Sequence, residues 1–387
     1  MVQSSSPFKY PDVDALRAAF PVTKHCTYLN HAATAPLSDP VRVAMSKFIS
    51  DSGVMFGRER RYENLSNDLR TVLAWLINAA PEEIAFVQNT GYGINIIANA
   101  LPLKEGDNVI FCDMEFPTNV YPWANLRRKG IEERCIPNHR GGLTVDALKK
   151  YADARTRAVA VSSVEFLTGF KSDLQALGRW CKEHDAYFIV DAIQSLGAAP
   201  LDVRACHIDF LACGGPKWLM GPQGAGFMYC HHELLDELSP PFAGSISVVG
   251  WEDWRDYDLT FLPDARRFEI GTENLIGQVG LLAAVRFLME IGIPAIERWT
   301  LHLTDLLIKD LKQRGYTIAS NLEHKRRSAI VSFSVPGDVN KAFRKLTDAK
   351  VIVSKREQYI RVSPHCYNTE EEIARVGQVL GNAVSSQ

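Results

Sequence analysis

Two short stretches decide the fold: residues 187–191 read Tyr-Phe-Ile-Val-Asp, and residues 213–217 read Cys-Gly-Gly-Pro-Lys. The first is an apolar run that ends in a carboxylate, which is costly to bury without a cationic partner. The second places Lys217 in a loop of glycine and proline after another apolar run. Such runs are typical of strands that are covered on both faces. Asp191 and Lys217 are therefore predicted to follow two buried strands.

Further apolar runs of the same texture alternate with helical patterns, which is typical of a parallel α/β sheet with right-handed crossovers. The predicted strands are residues 84–88, 108–112, 158–162, 186–191, 209–213 and 226–230. Beyond about residue 271 the pattern changes to two long helices, followed by short strands and a final helix from about residue 369. We predict an α/β fold with a large domain, residues 21–270, and a smaller α+β domain, residues 271–387, joined by residues 1–20.

Composition and charge exclude several classes of protein. Hydrophobic residues make up 46% and charged residues 23% of the 387 residues, as in ordinary globular proteins. The formal net charge of −2 gives no global field that would attract nucleic acid or an anionic membrane. The basic clusters at residues 58–61 and 325–327 are interpreted as solvated surface. No apolar run approaches the roughly 20 residues that span a bilayer, and we expect a cytoplasmic protein.

The eight cysteines are scattered, with no Cys-x-x-Cys pair and no histidine placed to complete a zinc site. We therefore expect no metal site and reduced thiols. A different ligand is suggested by residues 89–93, Asn-Thr-Gly-Tyr-Gly, which follow a predicted strand and open a helical pattern. A helix start of this kind offers free N–H groups to an anion such as phosphate, although a plain strand-to-helix turn explains the two glycines equally well. The spacing is not that of a P-loop.

Three predicted strand ends thus carry an anion cradle, a buried carboxylate and a lysine. In an open parallel sheet, ligands bind beyond the carboxyl ends of the strands. Pyridoxal phosphate requires all three groups: a helix N-terminus for its phosphate, an acid for its ring nitrogen and a lysine for its aldehyde. An NAD-dependent oxidoreductase that uses the turn at residues 90–93 is a rival reading, but the chain lacks the Gly-x-Gly-x-x-Gly fingerprint there.

With these residues in this order, the sequence resembles the class V aminotransferase family of fold-type I pyridoxal phosphate enzymes, from residues 28–33 to about residue 372. That family includes cysteine desulfurases, selenocysteine lyases and isopenicillin N epimerases. The resemblance implies a large domain with a mostly parallel sheet of the seven-stranded type. It further implies that Lys217 forms the Schiff base and that Asp191 faces the pyridine nitrogen. Gln194 would bond the phenolic oxygen of the cofactor, and Thr90 and Gly91 would bind its phosphate.

The same resemblance assigns roles to residues outside the sheet. Phe116 falls where the family stacks a ring on the cofactor, and Arg361 falls where an arginine grips the substrate carboxylate. Thr272 matches a threonine with which a neighbouring subunit binds the phosphate of the cofactor. This match implies a homodimer with shared sites. His31 is placed with the substrate-binding residues, although a structural role explains it as well.

Several departures from the family pattern narrow the expected reaction. Cysteine desulfurases carry a nucleophilic cysteine shortly before the carboxylate-binding arginine, whereas residues 350–359 contain none. Phe116 and Phe166 replace a histidine and an asparagine of the desulfurases. Gly214 and Pro216 replace phosphate-binding serine and histidine, which leaves open how the phosphate is anchored. On these grounds we expect that the protein is not a cysteine desulfurase.

The expected enzyme is aminotransferase-like and acts on an α-amino acid or related amine, with Lys217 as the base that removes the α-proton. A C–S lyase that works by β-elimination and an amino-acid epimerase are the alternatives, because all three reactions share this first half. A remote alternative is a catalytically inactive family member that serves as a binding module. The side chain of the substrate and the role of the tryptophan-rich residues 251–257 stay open.

Overall fold

The computed structural model describes residues 13–54, 62, 64–138, 141–253 and 255–383. The basic cluster at residues 58–61 and Trp254 of the tryptophan-rich segment lie outside these described residues. The strands are β1 (Thr27–Tyr28), β2 (Ile84–Val87), β3 (Asn108–Cys112), β4 (Glu132–Ile136), β5 (Thr156–Ser162), β6 (Tyr187–Asp191), β7 (Phe210–Gly214), β8 (Gly226–Cys230), β9 (Thr317–Ile318), β10 (Val331–Ser334), β11 (Val351–Ile352), β12 (Ser354–Arg356) and β13 (Tyr359–Val362).

The α-helices of the described residues lie mostly between these strands. They are α1 (Val13–Ala18), α2 (Asp39–Val54), α3 (Leu65–Ile77), α4 (Thr90–Ala100), α5 (Tyr121–Ala124), α6 (Val145–Tyr151), α7 (Leu174–Glu183), α8 (Leu275–Ile291), α9 (Ile293–Gln313), α10 (Val339–Asp348) and α11 (Glu370–Leu380).

The main sheet has seven strands in the order β2-β8-β7-β6-β5-β3-β4. Strand β8 runs antiparallel to both of its neighbours, and the other pairs are parallel. The loop of residues 215–225 between β7 and β8 contains no crossover helix, so β8 returns antiparallel to β7. The predicted α/β fold with a mostly parallel sheet is confirmed, and all six predicted strands are present. Strand β4 was not predicted, because its sequence Glu-Glu-Arg-Cys-Ile is that of a polar edge strand.

Both faces of the main sheet are covered, as the apolar strand sequences predicted. In β6, Phe188 and Val190 belong to one hydrophobic cluster and Ile189 to another. Helices α3, α7 and α8 pack in the first cluster, and α4 packs in the second. Alternate residues of a strand point to opposite faces, so this division places helices on each side of the sheet. The open edge at the carboxyl ends of the parallel strands is left for a ligand.

The C-terminal part of the chain forms a four-stranded antiparallel sheet in the order β12-β13-β10-β9. Helices α9, α10 and α11 contribute to its hydrophobic cluster. Strand β1 pairs in parallel with β11. This pairing ties the segment that precedes α2, here called the N-terminal arm, to the C-terminal part of the chain. Helix α8 packs in the cluster of the main sheet, and the division of the chain at residue 271 stays a prediction.

No single helix in the described part of the chain is long and apolar enough to cross a membrane. The bent pair α8 and α9 meets that criterion only when the two are taken together, by length and composition. The expected cytoplasmic location stays a prediction.

A buried ion pair fixes the segment that leads from the main sheet to α8. Arg70 of α3 donates from Nη1 and Nη2 to the Glu269 carboxylate at 2.8 and 3.2 Å. Glu269 also accepts a hydrogen bond from the backbone N–H of Phe86 in β2 at 2.7 Å. Arg70 and Glu269 are only 5% and 7% exposed. Removing one partner of such a pair leaves the other charge buried and uncompensated.

We therefore expect Glu269→Ala to lower the free energy of unfolding by about 3–5 kcal/mol, measured by urea denaturation. The matched control is Arg286→Ala, which removes an exposed pair with Asp68 at 2.9 Å and should cost less than about 1 kcal/mol. Equal effects of the two substitutions would contradict this account of Glu269.

Candidate active site

Three of the predicted site residues come together at one edge of the main sheet. Asp191 ends β6, and Lys217 lies three residues beyond the end of the neighbouring parallel strand β7. Thr90 begins α4, and its hydroxyl oxygen accepts a hydrogen bond from the N–H of Gly214 at 2.9 Å. The carboxyl ends of β2, β6 and β7 therefore converge, as a ligand site of an open α/β sheet requires.

The start of α4 lies close against the sheet because of Gly93. A Cβ at Gly93 would lie 2.9 Å from the Cβ of Ala212 in β7, so a larger residue would push the helix away. Asn89 caps the helix, since its side chain accepts a hydrogen bond from the N–H of Tyr92 at 2.9 Å. The other N–H groups at the start of α4, including that of Gly91, have no partner within the helix and can bind an anion. Because the hydroxyl oxygen of Thr90 accepts the bond from Gly214, its proton remains available for a hydrogen bond to a ligand.

The loop that carries Lys217 is held by hydrogen bonds to the N-terminal arm. The carbonyl of Pro216 accepts from the N–H of Ala35 at 2.8 Å and from the hydroxyl of Thr34 at 3.1 Å. Gly197, at φ +100°, lies so close to the carbonyl of Trp218 that a Cβ there would collide with it. The backbone around Lys217 is thus fixed on both sides.

Burial shifts the pKa of Lys217 and that of Asp191 in the directions that favour their uncharged forms. Burial lowers the pKa of Lys217 to about 8, and the positive charge of Arg361 contributes in the same direction against the attraction of Asp191. Asp191 is 3% exposed, and burial raises its pKa to about 6, while its hydrogen bond from the N–H of Ile193 and the charge of Lys217 act in the opposite direction. A lysine with a lowered pKa has a larger share of neutral, nucleophilic amine.

Gln194 connects the Lys217 loop with the N-terminal arm. Its Nε2 donates to the carbonyl of Ala32 at 3.0 Å, and its Oε1 accepts from the indole N–H of Trp218 at 2.8 Å. These two bonds fix the orientation of the amide and leave one N–H of Nε2 for a further acceptor. Gln194 is therefore oriented by its neighbours before any ligand binds.

Phe116 presents an exposed ring above Lys217. The Lys217 Nζ lies 5.7 Å from the centre of this ring, and the ring of Phe166 meets it edge-on at 5.1 Å. Phe116 is 42% exposed, so its face is available for a flat ligand to stack on. The stacking role of Phe116 stays a prediction.

Arg361 of β13 carries unused donors next to these rings. Its Nη1 donates to the carbonyl of Phe166 at 2.5 Å. Its Nε and Nη2 are buried and, within the described residues, have no hydrogen-bond partner. Burial lowers the pKa of Arg361 to about 9, and the charge of Arg356 adds to this. Two unpaired guanidinium donors suit a carboxylate, which accepts two parallel hydrogen bonds.

His31 and Thr272 are the two predicted residues that the structure does not bring to this group. Both ring nitrogens of His31 have protein partners, the Ser363 carbonyl at 3.1 Å and the Tyr367 hydroxyl at 3.0 Å. Burial lowers its pKa to about 4, so the ring is neutral. These contacts favour a structural role for His31. Thr272 is exposed on a cavity of about 310 Å³ lined also by Gln88 and Tyr92.

Sequence reasoning missed the buried carboxyl groups beside Asp191. Glu115 accepts hydrogen bonds from the backbone N–H and the hydroxyl of Ser162, both at 2.6 Å, and Ser162 lies opposite Asp191 between β5 and β6. Glu165 accepts a hydrogen bond from the Cys112 thiol at 3.6 Å. Burial raises the pKa of Glu115 to about 7 and that of Glu165 well above its usual range. Their positions after β3 and β5 are the signal that could have found them.

The residues present fit pyridoxal phosphate. Lys217 offers a buried amine of lowered pKa, and Asp191 offers a buried carboxyl that accepts a hydrogen bond from a backbone N–H. The start of α4 with Thr90 offers donors for a phosphate, and Phe116 offers an exposed ring face. A group with an aldehyde, a ring nitrogen, a phosphate and a flat ring matches these four features.

Comparisons with known proteins agree with this arrangement. Residues 27–376 match the model of the family described as aminotransferase class-V. A probable cysteine desulfurase of Methanothermobacter thermautotrophicus is 30% identical, with 94% of this chain and 96% of the relative covered. A probable cysteine desulfurase of Pyrococcus abyssi is 32% identical, with 96% and 97% covered. A solved cysteine desulfurase of Thermococcus onnurineus superposes with a TM-score of 0.87 at 27% identity, with 95% and 97% covered.

These relatives correct the predicted function. The expectation of an aminotransferase-like enzyme that is not a cysteine desulfurase is wrong, because relatives that match nearly the whole chain are named cysteine desulfurases. The prediction gave too much weight to the missing cysteine in residues 350–359.

The strand-end site and the comparisons lead to one conclusion. The chain belongs to the aminotransferase class-V family, and it is an enzyme whose cofactor is pyridoxal phosphate.

Proposed function

We propose that the protein breaks the Cβ–S bond of cysteine, the reaction of a cysteine desulfurase. The names and coverage of the two archaeal relatives support this reaction. The observation in the structure that carries it is Arg361, whose buried Nε and Nη2 have no partner among the described residues. A buried guanidinium with two spare donors suits the α-carboxylate of an amino acid.

In this proposal the chain's residues hold the cofactor as follows. Lys217 is the lysine that binds the aldehyde, Asp191 faces the ring nitrogen, and Phe116 stacks on the ring. Thr90 and Gly91 bind the phosphate, and Gln194 donates its free N–H to the phenolic oxygen. When bound, pyridoxal phosphate supplies an electron-withdrawing ring that takes up negative charge from the substrate's α-carbon.

The same residues then act on the substrate. Arg361 fixes the α-carboxylate and so orients the bond between Cα and its hydrogen toward Lys217. With its amine free, Lys217 would remove the α-proton as a general base, which its lowered pKa favours near neutral pH. Asp191, as a carboxylate, would keep the ring nitrogen protonated.

The sulfur needs an acceptor, and residues 350–359 supply no cysteine. We propose that an added thiol takes this part. In the balanced reaction, cysteine and a thiol give alanine and a persulfide: the Cβ–S bond breaks, Cβ takes a proton, and a new S–S bond forms on the thiol. Neither an oxidant nor a reductant is consumed.

The test is turnover of cysteine by the holoenzyme in the presence of dithiothreitol, with alanine and released sulfide as the products measured. Lys217→Ala should lower kcat about 10²–10⁴-fold because it removes the general base. Arg361→Lys should raise KM because a single ammonium cannot make the bidentate contact. Lys129→Ala, on the exposed surface, is the matched control and should leave turnover unchanged. Pyruvate or an oxo acid in place of alanine would contradict the proposed reaction.

We further propose that the sites are shared in a homodimer, with Thr272 of a second copy donating to the phosphate. Thr272 is exposed and lies in a segment that also presents the apolar side chain of Ile270, which is 40% exposed. Glu269 of the same segment is locked to Arg70, so the segment is presented on a rigid base. Ile270 and Thr272 line the same cavity, so a second copy packed on this segment would cover both side chains.

Sedimentation of the holoenzyme should give twice the chain mass. Ile270→Glu should shift this toward the single chain, because it buries a charge in the proposed interface. Leu322→Glu, an exposed apolar position in the C-terminal part, is the control and should leave the dimer intact. A holoenzyme that sediments as a single chain would exclude shared sites.

A further inference from the structure

The turn of residues 165–170, which follows β5, joins the two sheets. Just before it, the N–H of Ser163 donates to the carbonyl of Asp191 at 2.9 Å. Farther along, Gly169 has φ +71°, and a Cβ there would lie 2.5 Å from the carbonyl oxygen of Ile330, next to β10. The turn therefore runs from the edge that carries Asp191 to the C-terminal sheet, and the close approach at its far end requires a glycine.

Four successive carbonyl groups of this turn accept hydrogen bonds from side chains of the C-terminal part. The pairs, with the donor first, are Arg361 Nη1 with Phe166 at 2.5 Å, Ser332 Oγ with Leu167 at 2.5 Å, Ser320 Oγ with Thr168 at 2.5 Å and Ser328 Oγ with Gly169 at 2.8 Å. Backbone carbonyls in buried positions need such partners. The conformation of the turn thus depends on the C-terminal part, and one of its four donors is the arginine of the site.

Ser332 stands directly beside Arg361. The two residues lie opposite each other in β10 and β13, so their side chains point to the same face of the sheet, and both are buried. The N–H of Ser332 also donates to the hydroxyl oxygen of Ser320 at 2.8 Å, which links the two serines. Without the Ser332 hydroxyl, the carbonyl of Leu167 would lose its partner in a buried place, which costs more than the bond itself contributes.

These contacts fix the spacing between Arg361 and Lys217. Lys217 and Asp191 belong to the edge of the main sheet, whereas Arg361 belongs to the C-terminal sheet, and the turn is fastened to both. An α-amino acid carries its amine and its carboxylate on the same carbon, whereas a β-amino acid separates them by one further carbon. A fixed spacing between the amine site and Arg361 therefore fits one of these two classes better than the other.

We propose that Ser332 and Ser320 are positioning residues that set this spacing and thereby select α-amino acids over β-amino acids. The proposal rests on the proposed function, because that places the substrate carboxylate at Arg361 and the substrate amine beside Lys217. Neither serine touches the substrate. Each acts through the turn that Arg361 also binds, and a misplacement of about 1 Å can cost roughly 10²-fold in rate.

The first test is titration of the holoenzyme with L-alanine and with β-alanine, followed by the absorbance of the cofactor. These isomers carry the same charges and differ in the spacing of amine and carboxylate. The wild type should bind L-alanine at least tenfold more tightly than β-alanine. Ser332→Ala should lower this preference at least threefold because it loosens the turn, whereas Ser332→Thr keeps a hydroxyl and should keep the preference.

The matched control is Ser334→Ala. Ser334 lies two residues along the same strand and so on the same face, but its hydroxyl donates to the carbonyl of Thr317 at 3.4 Å and not to the turn. This variant should keep the preference in full. If Ser332→Ala does not fold, Ser320→Ala, which removes the bond to Thr168, gives the same comparison. Equal binding of the two isomers by the wild type, or an unchanged preference in the folded variants, would overturn the proposal.

The second test is turnover of cysteine. Ser332→Ala should raise KM more than it lowers kcat, because the defect lies in holding the carboxylate and not in removing the proton. A lowered kcat with an unchanged KM would overturn the proposal. If the wild type forms no alanine from cysteine, the proposed function fails. The titration with the two isomers needs no turnover, so it then decides alone whether the serines set the spacing.

Discussion

A lysine amine and an aspartate carboxyl are both withdrawn from water at one edge of the main sheet, and the rest of the site depends on this. Burial lowers the pKa of Lys217 to about 8 and raises that of Asp191 to about 6. Each group is therefore moved toward its neutral form, and a ligand that offers an aldehyde to one and a ring nitrogen to the other would make use of both. In the proposed function, the substrate carboxylate binds the buried donors of Arg361 that have no partner among the described residues.

The fold explains why these groups meet. Strands β6 and β7 are parallel neighbours, so Asp191 and the Lys217 loop emerge at the same edge. Thr90 joins them because α4 packs closely on β7 through Gly93. Arg361 reaches the same space from the C-terminal sheet, which the N-terminal arm ties to the Lys217 loop through β1 and Ala35. The site therefore requires both sheets to be held in place.

Much of this could be predicted from the sequence, because buried strands leave an apolar signature and chemistry follows their ends. Lys217, Asp191 and Thr90 were found in this way. Strand β4 was not, since a polar edge strand has no such signature, and Glu115 was passed over because an acid after a strand is common in loops. The hydrogen bonds of the His31 ring join residues more than 300 positions apart. Local sequence patterns cannot predict such bonds. The predicted reaction was wrong because the missing cysteine in residues 350–359 was given more weight than the similarity of the whole chain.

The central claim is that Lys217 is the residue that binds the cofactor's aldehyde. The most direct measurement is borohydride reduction of the holoenzyme, followed by peptide mass spectrometry. The account predicts a single pyridoxyl group on Lys217. A pyridoxyl group on another lysine, or none on any peptide, would contradict it.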